Sequence, residues 1–228
     1  MNGAVTRDSA KRSLGDQRAL VAALSLGASF AILTAVVNSG VTLGVDTRII
    51  LGMGAGRSPA LIPVMRAASW VASGAGAIPL ALLLAFVLAR RGGRRLAWLY
   101  AATCLSGWAL NILLKEMMQR VRPHGISSKL TDAGFYSFPS GHAMLALLVF
   151  GFGSYLLAQT VHHGGARRAI VAIGVIITLL VGLSRIYLGA HWPTDVLGAL
   201  LAGGCWAATC DLAAAGRVIS GMGPGRRA

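Results

Sequence analysis

Residues 169–195, AIVAIGVIITLLVGLSRIYLGAHWPTD, combine the two kinds of sequence that decide the fold of this chain. The segment begins with sixteen uncharged residues, Ala169 to Ser184, and ends in a polar group that contains Arg185, His191 and Asp195. A bilayer core needs about 20 largely apolar residues per helix, so the first part, extended past Arg185, predicts a membrane span. Titratable groups at the end of a span are costly in lipid and are therefore candidates for function.

Apolar segments of this kind recur along the 228-residue chain. Hydrophobic residues make up 55% of it, charged residues 12%, and the mean hydropathy is +0.68, whereas ordinary globular domains are about 25% charged. The predicted spans are helices, because backbone polar groups in lipid must be satisfied within the segment. They are Ala19 to Val45, Ala67 to Ala89, Leu96 to Leu114, Ala133 to Ala166, Ala169 to Ser184 and Val196 to Cys210. We therefore predict an all-α bundle of six transmembrane helices.

The net charge of +14 is distributed unevenly between the two sides of this bundle. Thirteen of the 21 Lys and Arg residues lie on the side of the termini and eight on the other, three of which are assigned below to a site. The positive-inside rule then predicts a cell (inner) membrane protein with both termini in the cytoplasm and the third and fifth loops outside. The predicted organisation is an N-terminal tail (1–18), a six-span domain (19–215) and a basic C-terminal tail (216–228). Basic clusters between apolar spans are typical of membrane proteins, so no nucleic-acid partner is predicted.

Polar residues converge on the predicted outward ends of the spans, which places the candidate active site at the outer membrane face. They come from the end of the third span and the loop after it, the start of the fourth, the end of the fifth and the start of the sixth. In that order they are Lys115, Arg122, Ser140, Gly141, His142, Arg185, His191 and Asp195.

This set of residue types suits chemistry on a phosphate group. Three cations complement an anion with two or more charges, and a helix start at Ser140 and Gly141 offers free backbone N–H groups. His191 and Asp195 are one helical turn apart, so the carboxylate can orient the imidazole and leave its other nitrogen as a nucleophile or base. A second histidine, His142, is then available to deliver a proton.

Three ordered motifs carry a resemblance to a known family. KEMMQRVRP (115–123), PSGH (139–142) and SRIYLGAHWPTD (184–195) fit the patterns Lys-x6-Arg-Pro, Pro-Ser-Gly-His and Ser-Arg-x5-His-x3-Asp. The chain closely resembles the type-2 phosphatidic acid phosphatase superfamily. The resemblance implies that His191 is phosphorylated, that Asp195 orients it and that His142 protonates the leaving group. It also implies metal-independent catalysis, with the phosphoryl oxygens held by Lys115, Arg122, Ser140, Gly141 and Arg185.

The predicted function is hydrolysis of a lipid phosphate or lipid diphosphate through a phosphohistidine, without metal or other cofactor. An outward site favours carrier-lipid diphosphates such as undecaprenyl diphosphate, while phosphatidic acid and phosphatidylglycerol phosphate stay open as substrates. The alternatives are a lipid phosphotransferase that uses the same phosphohistidine, or a non-catalytic membrane transporter or scaffold. The predicted partners are the lipid substrate and membrane lipids; the sequence does not indicate an oligomeric state.

The remaining polar and reactive residues are assigned structural roles. Asp46 to Arg66 is predicted to be a connection in the membrane interface, Trp192 to be an interfacial anchor or a wall of the site, and His124 to be an ordinary loop histidine. The three cysteines lie in apolar stretches and are predicted to be inert buried thiols; they are Cys104, Cys205 and Cys210.

Overall fold

The computed structural model of the chain describes residues 2–123 and 136–220. His124 and residues 221–228 of the predicted C-terminal tail lie outside the described residues. The described part consists of helices joined by short connections, with one isolated antiparallel bridge between Val121 and Tyr136. The helices are α1 (Asn2–Asn38), α2 (Leu43–Ala55), α3 (Leu61–Val71), α4 (Gly74–Gly92), α5 (Arg94–Met118), α6 (Gly141–Ala146), α7 (Gly153–Gln159), α8 (Gly164–Tyr187) and α9 (Pro193–Ser220), and a π-helical segment, Leu147–Phe152, connects α6 to α7.

Within the described residues, six helical segments are long and apolar enough to cross a membrane, as the sequence predicts. The fourth is formed by α6, the π-helical segment and α7 in continuity. The six segments are Gly15–Asn38, Gly74–Gly92, Arg94–Met118, Gly141–Gln159, Gly164–Tyr187 and Pro193–Ala215. The all-helical, multi-pass architecture is therefore confirmed. The division into cytoplasmic tails and a six-span domain stays a prediction, and α1 runs through both the predicted tail and the first span.

The second predicted span, which starts at Ala67, is interrupted in the structure. α3 ends at Val71, and α4 begins after Ser73, whose Oγ accepts a hydrogen bond from the Gly76 N–H at 3.3 Å. The chain turns back closely here, since a Cβ on Gly76 would lie 2.3 Å from the Trp70 carbonyl oxygen. The apolar residues on both sides of this break concealed it from a reading of hydropathy alone.

The short helices α2 and α3 lie against the bundle and cover one of its ends. In α2, Asp46 and Ile50 are fully buried, whereas Leu51 is 53% exposed. The location of Asp46 to Arg66 in the membrane interface stays a prediction; within this segment, the Asp46 carboxylate reaches the interior of the protein. Between α2 and α3, the Ser58 N–H donates to the Tyr187 hydroxyl at 2.9 Å, which fixes this connection to the end of α8.

Small residues allow the first and last spans to pack closely. α1 runs along α9, and a Cβ on Gly27 would lie 3.3 Å from the Cys205 Sγ. Further along α1, the Phe30 ring stacks on Phe138, with ring centroids 5.8 Å apart. Close backbone approach of this kind is the usual basis of helix association in lipid. The contact between Phe30 and Phe138 holds the start of the fourth span against the bundle.

Candidate active site

One cavity of about 930 Å³ brings together the three motifs of the sequence. Six of the eight predicted site residues line it: Lys115, Arg122, Gly141, His142, Arg185 and His191. The other two, Ser140 and Asp195, are fully buried next to these residues. All eight predicted positions therefore lie at one end of the bundle, the end that α2 and α3 cover.

Backbone hydrogen bonds hold the motifs in place. The Ser140 N–H donates to the Asp195 carbonyl oxygen at 3.0 Å, which joins the start of the fourth span to the first turn of α9. In the turn between α8 and α9, the His191 N–H donates to the Arg185 carbonyl oxygen at 3.3 Å. Gly189 in this turn has a φ of +67°, a left-handed conformation that glycine adopts without steric cost. The turn thus fixes His191 relative to Arg185.

The hydrogen bonds of His191 define its tautomer. Its Nδ1 lies 3.3 Å from Asp195 Oδ2, and its Nε2 lies 3.1 Å from Arg122 Nη1. A guanidinium can only donate, so Nε2 is the unprotonated acceptor and Nδ1 carries the hydrogen that faces Asp195. The same Oδ2 accepts the Trp192 N–H at 2.9 Å, which fixes the carboxylate. The arrangement leaves a lone pair on Nε2 directed towards the cavity cations.

The surroundings of His191 keep its imidazole neutral. Burial is the largest cause that lowers the pKa of His191 well below its ordinary value, and Arg122, Arg185 and Lys115 lower it further. A neutral imidazole retains the lone pair that a nucleophile needs, whereas an imidazolium does not. The site is therefore suited to nucleophilic attack by Nε2 at neutral pH.

The cavity cations and Ser140 present donors suited to an anion. Lys115 Nζ donates to the Tyr136 carbonyl oxygen at 3.1 Å, and Arg122 Nη1 donates to the Ala190 carbonyl oxygen at 2.6 Å. Two buried polar atoms, the Arg185 Nε and the Ser140 Oγ, have no hydrogen-bond partner among the described residues. Buried polar groups are normally paired, so both atoms are suited to a ligand that supplies acceptors.

The absence of a side chain at Gly141 keeps the start of the fourth span close to α5. A Cβ at this position would lie 3.2 Å from Asn111 Oδ1 and 3.9 Å from Lys115 Cε. Asn111 is itself buried in the interior. Glycine therefore lets the helix start lie close to the Asn111 side chain without a steric clash.

Three side chains of the site escaped the sequence analysis. Two of them are Arg120, one of the eight basic residues on the predicted outward side, and Asp46. The Arg120 guanidinium donates to Asp195 Oδ1 at 2.6 Å and to Asp46 Oδ2 at 2.7 Å. Ser69 of α3 accepts a hydrogen bond from Arg185 Nη1. One signal in the sequence could have indicated Asp46 and Arg120. The chain has only seven carboxylates, and a carboxylate that becomes buried next to a span needs a cationic partner.

Trp192 is buried beside the candidate site and is not an interfacial anchor. Its side chain is 8% exposed, its Nε1 donates to the Val121 carbonyl oxygen at 2.9 Å, and the Arg120 guanidinium lies 5.6 Å from its ring centroid. The burial argues against the interfacial anchor, and Trp192 is not among the residues that line the cavity, so it is not a cavity wall either. As for metals, the described residues contain no group of three or more His, Cys, Asp or Glu side chains that could hold an ion.

Parts of the chain are similar in sequence to known proteins. Residues 95–217 match the sequence profile of the PAP2 superfamily. Phosphatidylglycerophosphatase B of Bacillus subtilis (strain 168) is 42% identical over 90 residues, 39% of this chain and 43% of that protein. The undecaprenyl-diphosphatase of Sulfolobus acidocaldarius is 32% identical over 130 residues, 54% of this chain and 55% of the relative. The chain thus matches about half the length of these two relatives.

A solved structure matches a larger part of the chain. It is the crystal structure of the first transmembrane PAP2 type phosphatidylglycerolphosphate phosphatase from Bacillus subtilis. The TM-score is 0.76 at 26% sequence identity, and the match covers 90% of this chain and 99% of the other. The similarity in fold therefore includes helices that precede residue 95.

Proposed function

Because the chain belongs to the PAP2 superfamily, we propose that it is a metal-independent phosphatase that hydrolyses a lipid phosphate or lipid diphosphate through a phosphohistidine on His191. The observation that carries this proposal is the pair of contacts on the imidazole, Nδ1 to Asp195 and Nε2 to Arg122. The names of the relatives, a phosphatidylglycerophosphatase and an undecaprenyl-diphosphatase, support the substrate class.

The first half of the proposed reaction transfers the phosphoryl group to the enzyme. The phosphate takes the donors of Lys115, Arg122 and Arg185, with the Ser140 hydroxyl and the Gly141 N–H as neutral donors. The Nε2 lone pair attacks phosphorus while the bond to the leaving oxygen breaks, and His142 gives that oxygen a proton. Asp195 stabilises the positive charge that develops on the phosphorylated imidazole.

The second half returns the enzyme to its starting state. Water attacks phosphorus, the N–P bond breaks, and the electron pair returns to Nε2. His142, now neutral, takes the proton from the attacking water by the reverse of its first role. A lipid alcohol in place of water would make the protein a phosphotransferase; the same residues serve both reactions, and the measurement of free phosphate distinguishes them.

The shape of the cavity supports a lipid substrate. Its polar end holds the two histidines and the cations, and its other walls are apolar side chains of α4 and α5, among them Ala81, Leu105 and Ile112. Leu105 is 72% exposed and Ile112 48% exposed on the surface of the bundle. We propose that the acyl or prenyl chains of the substrate lie along these exposed apolar residues, towards the bilayer, while the phosphate occupies the polar end.

We expect the purified protein to release inorganic phosphate from lipid phosphates or diphosphates in buffer that contains EDTA. The reason is that three cationic side chains are available to meet the oxyanion charge of the transition state. The measurement is phosphate release from a panel that contains undecaprenyl diphosphate, phosphatidylglycerol phosphate and phosphatidic acid, with vanadate as an inhibitor. Activity that disappears in EDTA and returns only with added metal contradicts the mechanism, and phosphorylated lipid without free phosphate identifies a phosphotransferase.

We also propose that the site faces the periplasm or exterior and that both termini are cytoplasmic. Arg120 joins Lys115, Arg122 and Arg185 in the site, so thirteen basic residues on the side of the termini now compare with four on the other. This larger asymmetry strengthens the positive-inside argument for the orientation.

The orientation predicts opposite labelling of the two ends of the bundle. Ala60, exposed between α2 and α3, lies at the site end, and His162, exposed between α7 and α8, lies at the opposite end. We expect Ala60→Cys to react with an impermeant thiol reagent in intact spheroplasts, and His162→Cys to react only after permeabilisation. The unsubstituted protein is the control for its own three thiols, and the reverse pattern of labelling would refute the orientation.

A further inference from the structure

The buried carboxylate of Asp46, on α2, completes a polar network behind His191 and Asp195. We propose that Asp46 and Arg120 are positioning residues that hold Asp195, and through it His191, in the geometry needed for phosphoryl transfer. The inference rests on the phosphatase mechanism proposed above. Asp46 lies outside residues 95–217, the part of the chain that matches the superfamily profile, so this match does not point to it.

Arg120 bridges two buried carboxylates with its two terminal nitrogens. Nη1 donates to Asp195 Oδ1 at 2.6 Å and to Thr194 Oγ1 at 2.7 Å, and Nη2 donates to Asp46 Oδ2 at 2.7 Å. The planar guanidinium makes such divided contacts with little freedom to reorient. Because Oδ1 of Asp195 is occupied in this way, Oδ2 is left to face His191.

Asp46 fixes the opposite end of the same network. Its Oδ1 accepts the Thr194 N–H at 3.1 Å, and its Oδ2 accepts the Thr194 hydroxyl at 2.6 Å. The Thr194 N–H belongs to the first turn of α9, where backbone N–H groups lack partners within the helix. Asp46 therefore anchors both Arg120 and the helix start that carries Asp195.

The charge of Asp46 also affects how strongly Arg120 acts on Asp195. With two carboxylates around one guanidinium, Asp195 shares the cation with Asp46. Both carboxylates are 0% exposed, so solvent screens these interactions weakly. If Asp46 were neutral, the whole attraction of Arg120 would fall on Asp195. The carboxylate would then stabilise the developing positive charge on His191 less effectively.

The isosteric variant Asp46→Asn tests this argument through a separation of kcat from KM. The substitution removes a negative charge and no contact to the phosphate-binding cations, so KM should stay the same or fall. We expect kcat to fall about 10- to 100-fold, the loss typical when a partner that orients a metal-bound histidine is removed, since Asp46 and Arg120 orient the partner of His191 in a comparable way. The matched control is Asp211→Asn. Asp211 lies on α9 sixteen residues after Asp195, about 24 Å away by helix rise, and accepts a hydrogen bond from the Tyr155 hydroxyl. The kcat of this variant should be unchanged.

A double-mutant cycle tests whether Asp46 acts together with Arg120. In Arg120→Gln the two carboxylates are buried without their cation, which is costly. Adding Asp46→Asn removes one of these charges, so the double variant should be at least as active as Arg120→Gln alone. Losses that multiply in the double variant would mean that the two residues act independently, and would overturn the proposal.

Stability and activity are measured on the same detergent-solubilised samples of the full chain. If Asp46→Asn does not fold, Arg120→Lys replaces it, because a lysine keeps the charge but has a single nitrogen for the two carboxylates. A lowered Tm with wild-type kcat would make Asp46 a purely structural residue. Wild-type protein without phosphate release would overturn the proposed function and this inference with it, whereas active wild type with unchanged kcat in these variants would overturn the inference alone.

Discussion

Replacement of His191 by alanine is expected to abolish turnover of every substrate, good and poor leaving groups alike. The variant lacks the atom that forms the bond to phosphorus, so no change of substrate restores the covalent step. The measurement is kcat/KM on a lipid monophosphate and a lipid diphosphate, with membrane insertion of the variant verified. His162→Ala is the matched control, since His162 is an exposed histidine at the opposite end of the bundle, and it should retain full activity.

The phosphohistidine intermediate can be detected by comparing the wild-type protein with His191→Ala. Substrate labelled in the phosphoryl group should transfer label to wild-type protein quenched in alkali and not to His191→Ala. Label bound through nitrogen should be lost in acid, because a phosphoramidate is acid-labile. Turnover by His191→Ala, or equal labelling of both proteins, would remove the nucleophile assignment.

Replacement of His142 by alanine is expected to slow the enzyme by an amount that depends on the leaving group. An alkoxide from a lipid monophosphate needs a proton as it departs, whereas the phosphate that leaves a diphosphate is far less basic, with a last pKa of about 6. General acid catalysis contributes about 100- to 10,000-fold. We expect a loss in that range for a prenyl monophosphate and a smaller loss for the diphosphate of the same prenol.

A second variant in the same cavity provides the control for this comparison. Arg185→Lys weakens phosphate binding but takes no part in proton donation, so it should slow both substrates by similar factors. The ratio of the two kcat/KM values then isolates the effect of the leaving group from general damage to the site. Equal losses for His142→Ala on both substrates would remove the general-acid assignment.

The sequence alone was sufficient to predict the all-helical bundle and its six spans, although not all of their bounds. Uncharged segments such as Ala169 to Ser184 must be helical in lipid, because no other structure satisfies the backbone within one segment. The grouping of the eight candidate site residues at one end of the bundle was also predictable, since short motifs at span ends fix local spacing; His191 and Asp195, for example, are one helical turn apart. These features depend on neighbours within a few residues, which is why a linear reading finds them.

Contacts between distant parts of the chain were decided by the tertiary structure. Asp46 and Thr194 are 148 residues apart in sequence, and Arg120 and Asp195 are 75 residues apart. Apolar periodicity contains no signal for such a pair, because the energetic reason for it, a buried charge that needs a partner, exists only after the helices have packed. The break between α3 and α4 was hidden for a related reason, since its residues are as apolar as the spans themselves.

The state of the His191 imidazole also depends partly on the sequence and partly on the tertiary structure. The sequence determined that a carboxylate stands one turn from His191 and that cations lie in the same motifs. Only the packed bundle decided that Arg122 faces Nε2 while Arg120 and Asp46 hold Asp195 behind Nδ1. The physical reason is that protonation and nucleophilicity depend on burial and on charges within a few ångströms. Those distances arise only when separate segments of the chain meet at one end of the bundle.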